Sequence, residues 1–183
     1  MSERTPLLIL GLGNVLLEDD GTGSAAIAML LERFVPPEDV QVLDGGTLGL
    51  SLLPYVDRAD RVILVDAIRA DAADGTLVRV EGADVAPAVA TRLSPHQVGV
   101  ADLLDGARWL GRSPRSLLLL GIVPESIELG LGVTPRVAAA LPALVDEIVD
   151  AARGLGFLFR PRLAHEVVVG SGAADVARLA GLR

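Results

Sequence analysis

LLILGLGNVLLEDDGTG, residues 7–23, joins an apolar run to Gly11 and Gly13, then to three acids, Glu18, Asp19 and Asp20, and closes on Gly21 and Gly23. It reads either as a dinucleotide loop or as a turn that presents a carboxylate. The dinucleotide fingerprint G-x-G-x-x-G needs its third glycine so that the helix can pack closely on the strand. Gly11 and Gly13 fit, but the third position is Leu16. The helical pattern begins only near Gly21, so no helix amino end meets a pyrophosphate directly after the strand. Asp44 lies 31 residues beyond Gly13, whereas the ribose acid usually follows after about 20. Three acids in the loop would also repel phosphates, and no G-K-[ST] exists for a P-loop. The stretch is therefore a buried strand, Pro6 to Leu10, followed by a turn that delivers an acid.

Working outward, short aliphatic runs alternate with helical periods. Residues 22–34 place Ala25, Ile27, Ala28, Leu30, Leu31 and Phe34 at helical spacing, and Pro36-Pro37 stop the pattern. Strands are expected at 40–43 and 61–65, an edge strand at 76–80 and a buried strand at 116–122. Helices are expected at 48–56, at 97–110, and after Thr134-Pro135, an N-cap followed by proline at the first position. Pro142 should kink or split that last helix. Residues 157–183 show no clear period, apart from a short helical pattern in AADVARLAGL. The alternation predicts an α/β domain: three αβα layers, with a mostly parallel twisted sheet of about five strands and helices on both faces.

Composition narrows the function. The 183 residues are 51% hydrophobic with only five aromatic residues, so the core must be aliphatic. A net charge of −8 argues against a duplex nucleic-acid binder. All 16 basic residues are Arg, and they are scattered. With no cysteine, thiolate ligands and a cysteine nucleophile are excluded. The amino-terminal apolar run is too short for a signal peptide, and no run spans a membrane. The expectation is a cytoplasmic protein with no membrane partner.

In such sheets ligands collect beyond the carboxyl ends of the strands. Acids arrive there three times: at Asp44, at Asp66 and in the Glu18-Asp19-Asp20 group. An acid at a strand-to-helix junction is often only a helix cap, but three in one crevice would repel unless a cation binds. Of the two histidines, His165 falls in the aperiodic tail and is read as solvated or structural. His96 follows Ser94-Pro95 at a helix entrance. With Asp20 and Asp66 it completes a two-carboxylate, one-imidazole set suited to a divalent metal such as Ni²⁺ or Zn²⁺. Neither H-E-x-x-H nor G-x-S-x-G occurs, and Ser94 and His96 are too close in sequence to form a catalytic pair readily.

The order of motifs is specific. GLGNVLLEDDGTG at 11–23, LDGGTLG at 43–49, VDAI at 65–68, SPHQVGVADLL at 94–104 and GIVPES at 121–126 resemble the hydrogenase maturation endopeptidases, across residues 6–154. The resemblance implies a protease domain over 1–156 and a C-terminal extension over 157–183. It implies a cytoplasmic endopeptidase that trims the C-terminal extension of the [NiFe]-hydrogenase large-subunit precursor after nickel insertion. The family's metal-contacting positions fall on Asp20, Asp66 and His96, and Asp44 matches a further position, a candidate general base. The nickel is expected to arrive with the substrate, not as a resident cofactor. Two routes to cleavage stay open: the nickel polarises the carbonyl or activates water, or Asp44 acts as base while the metal only docks. A non-proteolytic, nickel-dependent assembly chaperone for the large subunit is the alternative. A small-molecule hydrolase or phosphorylase on a similar fold is a third, disfavoured by the acidic loop.

Overall fold

The computed structural model of the protein describes residues 4–90, 96–111, 113–163 and 165–166. Five strands form one sheet: β1 (Thr5–Leu12), β3 (Val40–Gly46), β4 (Ala59–Ala67), β5 (Leu77–Glu81) and β6 (Ser116–Ile122). Their order is β3-β1-β4-β6-β5, parallel throughout except for β5, which runs antiparallel to β6 at the edge. Two short strands, β2 (Phe34–Val35) and β7 (Arg160–Pro161), pair separately.

Side chains alternate across a strand, and β1 is buried on both sides. Leu7 and Ile9 enter one core with Ile63, Val65 and Leu120; helices α1 (Thr22–Arg33) and α5 (Pro135–Gly154) cover that face. Leu8 and Leu10 enter the other with Val62, Leu64 and Leu119, beneath α2 (Leu53–Arg58), α3 (Val85–Ala90) and α4 (His96–Trp109). Each fully buried Leu or Ile contributes roughly 1.5–3 kcal/mol, which explains continuous aliphatic runs in the central strands. The three αβα layers are those expected, and the core is aliphatic. Trp109 is 92% exposed; among the described residues Phe157 is the buried aromatic ring, and Phe34, Phe159 and Tyr55 pack partly buried against the core.

Local departures have physical reasons. Pro142 does not split α5, which runs unbroken for 20 residues. Pro142 and Ala138 both lie on the exposed side of the helix, so the carbonyl deprived of its donor by the proline stands on the solvent side and not in the core. The helix expected at 48–56 is a 3₁₀ turn, Gly49–Leu52, that leads into α2, with Pro54 in its first turn. The stretch Gly82–Ala90, unassigned from sequence, holds a 3₁₀ turn and α3. Beyond α5 the chain returns to the body: β7 pairs with β2, and the Arg162 side chain donates to the Leu31 and Phe34 carbonyls. The helix expected in AADVARLAGL lies outside the described residues. Among the described residues no helix is long and apolar enough to cross a membrane.

Candidate functional site

From β1 the chain turns through α1 to β3, on one side of β1; from β4 it goes on to β5 and β6, on the other. The carboxyl ends of β1 and β4 therefore flank a topological switch point, where open α/β sheets hold ligands. Asp66 is the penultimate residue of β4, and the loop carrying Asp20 leaves β1 beside it.

That loop is folded tightly. Gly13 has φ +127°, and a Cβ there would stand 1.8 Å from the Asp20 carbonyl oxygen. The Gly13 N–H donates to the Gly46 carbonyl (3.1 Å), which ties the β1 and β3 ends together. Asn14 turns the chain: its Oδ1 accepts from the Leu16 N–H and its own N–H donates to Asp20 Oδ2, both at 3.1 Å. A 3₁₀ turn, Glu18–Gly21, follows and packs against β4. Asp20 is fully buried and Asp66 is 2% exposed. Asp66 Oδ1 accepts from the Ala67 N–H at 2.8 Å.

Asp44 has a different setting. By strand alternation it shares the α1 face with Val40 and Val42, whereas Asp66 shares the α4 face with Val62 and Leu64. Asp44 Oδ1 accepts from Ser24 Oγ of α1 (2.8 Å) and from the Gly46 N–H (3.1 Å). It is half-buried and lines a cavity of about 270 Å³ with Gly13, Asn14 and Ser24. The three acids thus share one end of the sheet but not one face. Consistently, among the described residues no three His, Asp or Glu side chains come together as a metal-holding group.

His96 is the first residue of α4. A helix that leads into a parallel strand begins at the carboxyl end of the sheet, so α4 starts at the end that holds Asp20, Asp44 and Asp66. The imidazole itself, and Ser94-Pro95 before it, lie outside the described part of the structure. His165 is exposed, beside β7. Since β7 pairs with β2 directly after α1, His165 belongs to the opposite end of the sheet.

One residue carries a task that spacing did not reveal. Asp19, fully buried, receives four hydrogen bonds from the segment after β6. Glu125 and Ser126 N–H donate to Oδ2 (2.8 and 3.1 Å), and Thr134 donates through N–H to Oδ1 (2.6 Å) and through Oγ1 to Oδ2 (3.0 Å). The donors include the last two residues of GIVPES and the N-cap of α5, motifs noted for other reasons. Doubled acids ahead of a buried helix were the only hint in the sequence.

A sequence model of the family described as "Hydrogenase maturation protease" matches residues 25–151. The "Hydrogenase 2 maturation protease" of Escherichia coli strain K12 is 37% identical over 159 residues, covering 86% of this chain and 97% of that protein. The solved structure of the hydrogenase maturating endopeptidase HybD from E. coli superimposes with a TM-score of 0.82 at 36% identity, covering 86% of this chain and 98% of that one. The [NiFe] hydrogenase maturation protease HybD from Thermococcus kodakarensis gives 0.65 at 29% identity, over 80% of this chain and 99% of that one.

Proposed function

The chain belongs to the hydrogenase maturation protease family, and from that premise we propose that it removes the C-terminal extension of a [NiFe]-hydrogenase large-subunit precursor after nickel insertion. Asp20, Asp66 and His96 recognise the nickel, which comes as part of the substrate. The observation that supports this reading is the placement of two buried carboxylates at the switch point, with α4 and its first residue His96 starting at the same end. Two hard carboxylates and a neutral imidazole suit a divalent first-row ion held moderately, and so released after the cut. Processing in the cytoplasm, where the precursor is assembled, is part of the same proposal.

Asp44 serves as the general base. β3 and β4 flank β1, so Asp44 and Asp66 stand two strand spacings apart, about 10 Å. An extended peptide covers that distance in about three residues. A chain laid across the strand ends thus reaches Asp66 with its nickel and the Asp44 cavity with a nearby peptide bond. Asp44 Oδ1 is held by Ser24 and Gly46, and among the described residues nothing donates to Oδ2. Oδ2 is suited to take a proton from water as that water attacks the carbonyl; the proton then passes to the leaving amine.

The test mixes the protein with nickel-loaded and nickel-free precursor and follows precursor mass. Loss of a C-terminal fragment with nickel only is expected. Loss in neither case overturns the processing role, and nickel-dependent binding without mass loss points instead to the assembly chaperone.

A further inference from the structure

We propose that Asp19 is the positioning residue of this site. Its carboxylate clamps the loop after β1 to the segment after β6, and so decides where the neighbouring Asp20 stands. The proposal rests on the reading of Asp20 as a contact to substrate-borne nickel.

Every polar atom of Asp19 is engaged. Its carboxylate takes the four hydrogen bonds from Glu125, Ser126 and Thr134 described above. Its N–H donates to the Ser126 carbonyl (3.1 Å), and its carbonyl accepts from Thr22 Oγ1 (2.6 Å) at the start of α1. The same two segments are sewn together one step earlier, where Leu17 bridges Gly130. There the Glu18 N–H donates to the Gly130 carbonyl (3.1 Å) and the Gly130 N–H to the Leu16 carbonyl (3.0 Å).

Asp20 follows directly in the chain and is confined from both sides. Asp19 anchors it toward β6 and α5, while Gly13 stands against its carbonyl and Asn14 donates to its carboxylate. A shift of Asp19 therefore carries Asp20 with it. Both Asp19 oxygens must accept, because only donors face them. Asparagine, isosteric but with an NH₂ in place of one oxygen, would turn a donor against donors. Partners that orient a metal-contacting residue are typically worth 10–100-fold in metal affinity.

A purely structural staple predicts lower stability and nothing more. Positioning predicts loss of nickel discrimination through Asp20, and a double-mutant cycle separates the two. Full-length wild type, Asp19→Asn, Asp20→Asn and the double variant are compared for the ratio of affinities for nickel-loaded over nickel-free precursor, at a temperature where circular dichroism shows each folded. Asp19→Asn is expected to lower that ratio roughly 10-fold, with the double variant no lower than Asp20→Asn alone. Wild-type discrimination in folded Asp19→Asn, or losses that multiply in the double variant, overturn the proposal. If Asp19→Asn does not fold, Thr134→Val removes one of the four donors and is expected to show a smaller loss, coupled to Asp20 in the same way; a ratio unchanged in Thr134→Val overturns the proposal. Wild-type protein that treats both precursors alike overturns the reading of the site, and the positioning role with it.

Discussion

Gly23 of α1 lies so close on Val65 of β4 that a Cβ on it would stand 2.3 Å from the Val65 carbonyl oxygen, and 2.1 Å from that of Leu12. The first turn of α1 is seated on the strand ends at the switch point, one residue before Asp66. Neither obstructing atom belongs to a side chain that can swing away. Gly23→Ala is expected to destabilise the protein by at least about 1–3 kcal/mol, the usual cost of overpacking, measured by denaturant unfolding. It should also lower precursor cleavage, because α1 must lift and take the Asp20 loop with it. Wild-type stability would show that the helix seat yields.

Altering the proposed nickel contacts one at a time should separate recognition from folding. Asp20→Asn, Asp66→Asn and His96→Ala are each expected to weaken binding of nickel-loaded precursor by about 10-fold or more, while binding of nickel-free precursor stays as in wild type. Calorimetric titration of each variant checks this. A variant with undiminished preference for the nickel form takes that residue out of the site.

Asp44→Asn keeps the shape of the side chain and removes the proposed base. Cleavage of nickel-loaded precursor should fall about 100-fold or more with binding intact, read from single-turnover mass spectrometry. Full activity in this variant would assign bond breaking to the nickel that the substrate carries.

At the far end of the sheet, Arg160 reaches both oxygens of Glu166, at 2.9 and 2.6 Å. That guanidinium, joined by the Leu163 N–H, pulls the Glu166 carboxyl from 4.5 down to about 2. A carboxyl lowered by folding contributes stability that is fully present above its unfolded value and is lost as the pH falls toward its folded one. Glu166→Gln should thus be less stable than wild type at pH 6. The gap should close between about 4.5 and 2, seen as converging melting temperatures. A gap that is constant with pH would refute the pairing.

Pro142→Ala restores an N–H opposite the Ala138 carbonyl in the middle of α5. Proline costs about 3 kcal/mol in a helix interior, offset by about 0.4–1 kcal/mol through its stiffening of the unfolded chain. A net gain of about 2 kcal/mol is expected from the difference of the two. Thermal unfolding checks it; a lowered melting point would mean that α5 needs the proline.

The layered sheet was legible because burial on two faces forces its central strands to be aliphatic throughout, as in LLIL, RVILV and SLLLLGI. Two of the strand-end acids were legible because Asp44 and Asp66 directly follow strand patterns, VQVL and RVILV. Pro142 misled because propensity is read without knowing which way a carbonyl faces. Asp19 was invisible in its role because its donors are mostly main-chain N–H groups more than 100 residues away, and such groups carry no residue signature.

Sequence alone determined that the glycine-rich opening stretch ends in carboxylates and not in a phosphate cradle, since a missing glycine and a surplus of acids are local facts. Only the tertiary structure decided how those carboxylates divide. Asp44 falls on the α1 face and Asp66 on the α4 face, Asp20 lies buried beside β4, and Asp19 is spent as a clamp. Face and burial depend on strand register and on segments distant in the chain, and no spacing along one stretch encodes them.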